Sequence, residues 1–170
     1  MNFREVLKNP SSIGQIDSIA DVAGLSQRNF QSLFELAFDS DKSIAWRAGW
    51  ACDKVCRKNP ELLKVDQIER ILNFVITETH KGVLRSLLSI LNEHKLPENL
   101  PVEFINICFE RMVSPKADVS HQVLSMKILY KICQFEPAFK EEFRAYLENV
   151  SPQDYTPGFN STRKKILKAL

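Results

Sequence analysis

The stretch Asp53-Lys54-Val55-Cys56-Arg57-Lys58-Asn59-Pro60-Glu61-Leu62 returns as Tyr130-Lys131-Ile132-Cys133-Gln134-Phe135-Glu136-Pro137-Ala138-Phe139, at an offset of 77 residues. Each copy reads as the end of one amphipathic helix followed by a proline at the first turn of the next element. At the same offset Asp41 falls on Asp118, Ser43 on Ser120 and Asn29 on Asn106. A third copy fits between them at an offset of 38 or 39, with Phe30, Leu33, Phe34 and Ala37 falling on Ile68, Ile71, Leu72 and Val75, and Trp46-Arg47-Ala48 on Leu84-Arg85-Ser86. Few residues are identical, but apolar spacing, caps and prolines recur together. A helical hairpin of this length cannot bury its apolar stripe alone, so such units must stack.

Punctuation outward from these copies gives the rest. Pro60, Pro101, Pro137 and Pro157 stand where a first helical turn can begin, and Pro97 and Pro115 lie in gaps between apolar-periodic segments. Ser26 is placed to cap a helix over about 27–39, with Leu25 and Phe30 spaced for a hydrophobic staple. Asp41 opens a helix to about 58, Asp66 one to about 78 and Thr79 one to about 94. Further helices are predicted near 101–113, 118–134, 137–149 and 160–170, with shorter ones near 2–8 and 15–23, the latter closed by Gly24. Leu72–Thr77 has strand propensity but lies inside the helix-spaced stripe Ile68, Ile71, Leu72, Val75, Ile76. The expected fold class is all-α, one domain over 1–170. It comprises a cap at 1–25, units at 26–58, 66–94 and 101–134, and a closing helix pair at 137–170.

Composition excludes several classes. The chain has 170 residues, 44% hydrophobic and 26% charged, with a formal net charge of +2, the mix of an ordinary folded domain. Its five glycines stand alone, so no phosphate-cradling loop, dinucleotide fingerprint or nucleophile elbow can be written. No cofactor is expected. The first residues lack a secretory h-region, and no apolar run reaches the roughly 18 residues of a membrane span. Cys52, Cys56, Cys108 and Cys133 lie in apolar helical patterns, as reduced thiols of a cytoplasmic protein do.

Two helices per unit and a period near 38 resemble the HEAT and armadillo-like α-solenoids, over about residues 26–170. HEAT-like units often carry an acid between the helices and an arginine early in the second, paired along the stack. Asp41 with Arg47, and Arg85 and Arg163 at corresponding places, resemble that ladder, and Leu124 interrupts it. The resemblance implies about four stacked pairs plus the N-terminal cap. It also implies a non-enzymatic scaffold that binds a protein or peptide on its concave face.

The expected binding surface runs over helices 41–58, 80–94 and 118–134, through Trp46, Trp50, Lys54, Arg57, Lys81, Arg85, Lys127 and Tyr130. Aromatic and cationic side chains together suit an acidic or extended partner. Against this, Trp46, Trp50 and Asp53 align with Leu84, Leu88 and Leu91, which reads as packing between repeats, with Gly49 making room. The alternative function is nucleic-acid binding of the kind seen in HEAT-like DNA-alkylation-repair glycosylases, whose aromatic and acidic set Trp46, Trp50, Asp53 and Arg85 can imitate. Two runs are candidates for a polyanion-binding patch: Lys54, Arg57, Lys58, Lys64, Lys81 and Arg85, and the C-terminal Arg163, Lys164, Lys165 and Lys168. A third possibility is self-association through Ile166, Leu167 and Leu170. His80, His94 and His121 lack metal spacing, and His80 and His121 read as position-specific residues at the start of second helices.

Overall fold

The computed structural model describes residues 1–9 and 12–170; Pro10 and Ser11, inside the expected N-terminal cap, lie outside the described residues. Among the described residues there are ten α-helices, three short 3-10 turns and no strand. The helices are α1 (Phe3–Lys8), α2 (Ile13–Ala23), α3 (Gln27–Leu36), α4 (Lys42–Lys58), α5 (Val65–Thr77), α6 (Lys81–Glu93), α7 (Val102–Val113), α8 (Val119–Phe135), α9 (Lys140–Asn149) and α10 (Pro157–Ala169). Helices α3 and α4, α5 and α6, α7 and α8, and α9 and α10 pair, α1 packs on α4 and α3, and α2, α4, α6, α8 and α10 pack in succession as one layer. The odd-numbered helices form the other layer, joined between α3 and α5 by Phe38 edge-on to Phe74 at 4.9 Å and by the Glu35–Arg70 ion pair at 2.7 Å. One apolar core runs the length of the stack, from Phe3 and Leu7 to Phe159 and Ile166.

Local chemistry explains most boundaries. Ser26 caps α3, and Asp41 accepts from the N–H groups of Ser43 and Ile44 at the start of α4. The predicted end of α3 near 39 is instead Leu36. There Ala37, Phe38 and Asp39 donate to carbonyls three residues back, the tightening common at helix ends. Helix α5 starts at Val65 because the Gln67 side chain accepts from the Lys64 N–H at 2.9 Å, leaving Asp66 as a first-turn acid. Helix α6 is capped by His80 rather than Thr79, its Nδ1 accepting from the Val83 N–H at 3.3 Å. Helix α10 begins at Pro157 behind the cap Thr156, three residues earlier than expected. Pro137–Phe139 forms a 3-10 turn ahead of α9. The staple between Leu25 and Phe30 does not form: Phe30 is buried, whereas Leu25 is 78% exposed.

The expected acid–arginine ladder is replaced by another. Asp41 is occupied within its own helix, where the Ser43 hydroxyl and then the N–H groups of Ser43 and Ile44 hold its carboxyl below the ordinary value. Arg47 reaches the α1 carbonyls of Leu7 (2.7 Å) and Lys8, and Arg163 donates to the Leu147 carbonyl of α9. The charged column runs through the residues that flank the second helices. Arg4 pairs with Asp39, Lys42 with Glu78 at 2.6 Å, and Lys81 with Asp118 at 2.8 Å.

Two buried groups make this fold acid-sensitive. The Nε2–H of His121 donates to the Lys81 carbonyl at 2.9 Å, and burial holds its pKa below 6.5. Burial pushes Glu78 upward, but Lys42 and the N–H groups of His80 and Thr79 outweigh it and hold the carboxyl below 4.5. Both groups bind protons more readily in the unfolded chain, so their contribution is complete above the unfolded pKa and fades as pH falls toward the folded one. Urea midpoints are expected to be level above pH 6.5 and to decline below it, with a second decline below 4.5. In His121→Gln the upper decline should disappear, and an unchanged profile would contradict the assignment.

The four cysteines are buried and unpaired. Burial pushes the Cys56 and Cys108 thiols up to about 12, which makes them inert packing groups at neutral pH.

Candidate functional site

Helices α4 and α6 meet through small residues. A Cβ on Gly49 would stand 3.3 Å from the Ser86 Cβ, so the two backbones approach closely there. One turn toward the N-termini, Trp46 lies on the bare backbone of Gly82, where a Cβ would come within 2.4 Å of its Cδ1. Trp50 lies one turn along α4, its ring nearly parallel to Trp46 at 11° with centroids 6.4 Å apart. The two indoles form one wall of an open groove of about 350 Å³, lined also by Asp53, Arg57, Arg85, Ser86 and Ser89. Trp46 is 39% exposed and Trp50 half-buried.

Packing between repeats claims the aligned leucines but only part of the tryptophans. Leu84, Leu88 and Leu91 are buried. The groove is lined by their neighbours Arg85 and Ser89, so an offset of 39, not 38, relates this wall to Trp46 and Trp50. Ser86 and Ser89 are the lining residues the sequence reading missed; their signal was the three-residue spacing on α6 combined with that offset.

The electrostatics of the groove are uneven. Arg57 donates to Asp53 at 3.3 Å and to the Ser89 hydroxyl at 2.8 Å, and it pairs with Glu93 at 3.5 Å. Burial pulls its pKa down, but those two carboxylates more than compensate. Asp53 Oδ1 is buried and accepts no hydrogen bond among the described residues. Arg85, on the opposite wall, is exposed and makes no ion pair, hydrogen bond or ring contact with any described residue.

The other expected contacts are dispersed. Lys54 stands 5.8 Å from the Trp50 ring centroid but is paired with Asp17 at 2.7 Å. Lys81 is paired with Asp118. Lys127 and Tyr130 are one turn apart on α8 and do not line the groove. The suspected basic patch is largely neutralised: Lys54, Arg57, Lys58 and Lys81 each pair with an acid, and Lys64 donates to the Glu61 carbonyl. Of the C-terminal run, Arg163 is occupied by the α9 carbonyl, while Lys164, Lys165 and Lys168 are exposed. Ile166 is buried, and Leu167 and Leu170 pack against the core. Among the described residues no helix is long and apolar enough to cross a membrane.

A family model described as a HEAT repeat domain matches residues 3–170. The chain belongs to the HEAT repeat family. HEAT repeats are commonly protein-interaction scaffolds, and the family is generally non-enzymatic. No curated protein matches this HEAT repeat chain. The match takes in α1 and α2, which pack against α3 and α4.

Proposed function

We propose that this HEAT repeat chain is a non-enzymatic interaction module that holds an extended segment of a partner protein in the α4–α6 groove. The observation that carries the reading is Arg85. It is an uncompensated guanidinium facing two stacked, solvent-reachable indoles, while the cations around it are committed to acids. Trp46 and Trp50 offer an apolar platform for a flat or branched side chain. Arg85 supplies a bidentate donor for a carboxylate, and the serine hydroxyls on its wall can bond a backbone. The pairing of Lys54, Arg57, Lys58 and Lys81 favours this reading over a nucleic-acid footprint, which requires cations free to replace counterions.

The test compares partner capture by the wild-type chain, Arg85→Glu, Trp46→Ala and Gly82→Ala, each with nuclease present. Arg85→Glu and Trp46→Ala should lose the captured partner while unfolding free energy moves by only about 0.5 kcal/mol for the exposed Arg85. Gly82→Ala adds a helix-favouring methyl worth roughly 1 kcal/mol. That methyl sits where the Trp46 ring now lies, so the indole must swing out, shifting tryptophan emission and emptying the groove of its platform. A partner retained by all three variants, or lost with nuclease alone, overturns the proposal.

A further inference from the structure

A second groove lies at the edge of the stack where the loop before α7 faces the turn after α8. It measures about 440 Å³ and is lined by Leu100, Val102, Ile105, Ile132, Phe135 and Phe139. Single exposed apolar side chains are ordinary on a protein surface. Here Val102, 65% exposed, and Phe135, 42% exposed, line one hollow together with Ala138 and the four other apolar side chains named above. The rim carries Glu98 and Glu136, and neither carboxylate has an ion pair or hydrogen bond among the described residues. On α8, Lys131 is held by the carbonyls of Leu91, Asn92 and His94 at the end of α6. Residues 96–150 as a whole hold six basic and eight acidic side chains. The neighbouring hollow across the loop, beside Leu63 and Leu96, has Lys95 as well as Glu98 on its border and lacks a rim of one sign.

We infer that this groove docks a basic amphipathic segment of a partner protein. Apolar side chains spaced along one helical face fill the hollow, and a lysine or arginine beside them meets Glu98 and Glu136. Such helix-in-groove docking uses anchors at i, i+3, i+4 and i+7, and rim charges set partner choice and association rate. The surface is separate from the tryptophan groove and does not depend on what that groove binds.

Fluorescence anisotropy tests it with a fluorescein-labelled peptide of about twelve residues, leucines at the anchor spacing and lysines elsewhere. A twin peptide carries glutamates in place of the lysines. The lysine peptide is expected to bind the full chain with an affinity that falls on adding salt, and the glutamate twin to bind at least about tenfold more weakly. Val102→Asp and Phe135→Ser, both at exposed positions the fold tolerates, should each weaken the lysine peptide roughly tenfold. The double variant Glu98→Lys, Glu136→Lys should reverse the preference between the twins. Trp46→Ala should leave binding unchanged, which keeps this surface distinct from the first. Equal binding of the twins, or wild-type affinity in Val102→Asp and Phe135→Ser, overturns the inference.

Discussion

Replacing Arg111 by leucine is expected to lower the unfolding free energy by about 3 kcal/mol and the melting temperature by roughly 6–12 °C for a chain of this size. Arg111 lies on α7, and its Nη2 group donates to the carbonyls of Val75, Ile76 and Glu78 at the end of α5. The last carbonyls of a helix have no intrahelical donor, and a cation there also complements the helix dipole. Burial pulls the Arg111 pKa down, yet a guanidinium stays protonated throughout the pH range of folding. Leucine fills much of the space but leaves those carbonyls without their donor. The desolvation cost removed with the charge offsets part of that loss. Arg111→Lys keeps the charge and a single nitrogen donor, and should recover part of the difference. Coincident thermal melts for Arg111→Leu and wild type would show that the cap contributes nothing.

The same device recurs. Arg47 closes α1, Arg163 closes α9 and Lys131 closes α6, in each case with a cation from another helix. The reason lies in the composition. Helices often end in a left-handed glycine, but among the described residues no residue, glycine or otherwise, has positive φ. With five glycines in the chain, α1, α5, α6, α7 and α9 run straight into extended backbone, and at four of these ends a long cationic side chain from another helix supplies the missing donor. Tyr155 does the same for α7, donating its hydroxyl to the Val113 carbonyl at 2.8 Å.

The repeat was legible because its signals are local. A proline at a first turn, a Ser or Asp at a cap and an apolar stripe at helical spacing act within a few residues of themselves, so the helices and the all-α repeat class followed from the sequence. The ladder was not legible, because Asp41 had two uses, capping its own helix or pairing with an arginine, and only the geometry of the α4 start decides between them. The groove was half legible. Trp46, Trp50, Arg57 and Arg85 were singled out and line it together. Lys54, Lys81, Lys127 and Tyr130 are drawn off by their own partners or by the azimuth of α8. Sequence spacing gives the face of one helix but not the rotation of the next helix against it. That rotation is set where the two backbones touch.

Gly49 is that contact, and Gly49→Val is expected to destabilise the fold by about 2–3 kcal/mol. Around it α4 presents Ala45, Ala48, Ala51 and Cys52, all buried. A first carbon at position 49 would already stand 3.3 Å from the Ser86 Cβ, so the γ-methyls of valine have no room without parting the helices. Alanine is the control: its gain of roughly 1 kcal/mol over glycine in a helix is set against one tight contact, and the variant should unfold near the wild-type midpoint. Gly82 differs although a Cβ there would come closer to its neighbour, because the obstacle is the Trp46 ring, which can turn outward, rather than the base of a side chain fixed to α6. Crowding at position 49 should therefore be read in denaturant midpoints, and crowding at 82 in tryptophan emission and partner capture. Were Gly49→Val as stable as wild type, α4 and α6 would not be held at this separation, and a groove whose two walls are those helices would lose its shape.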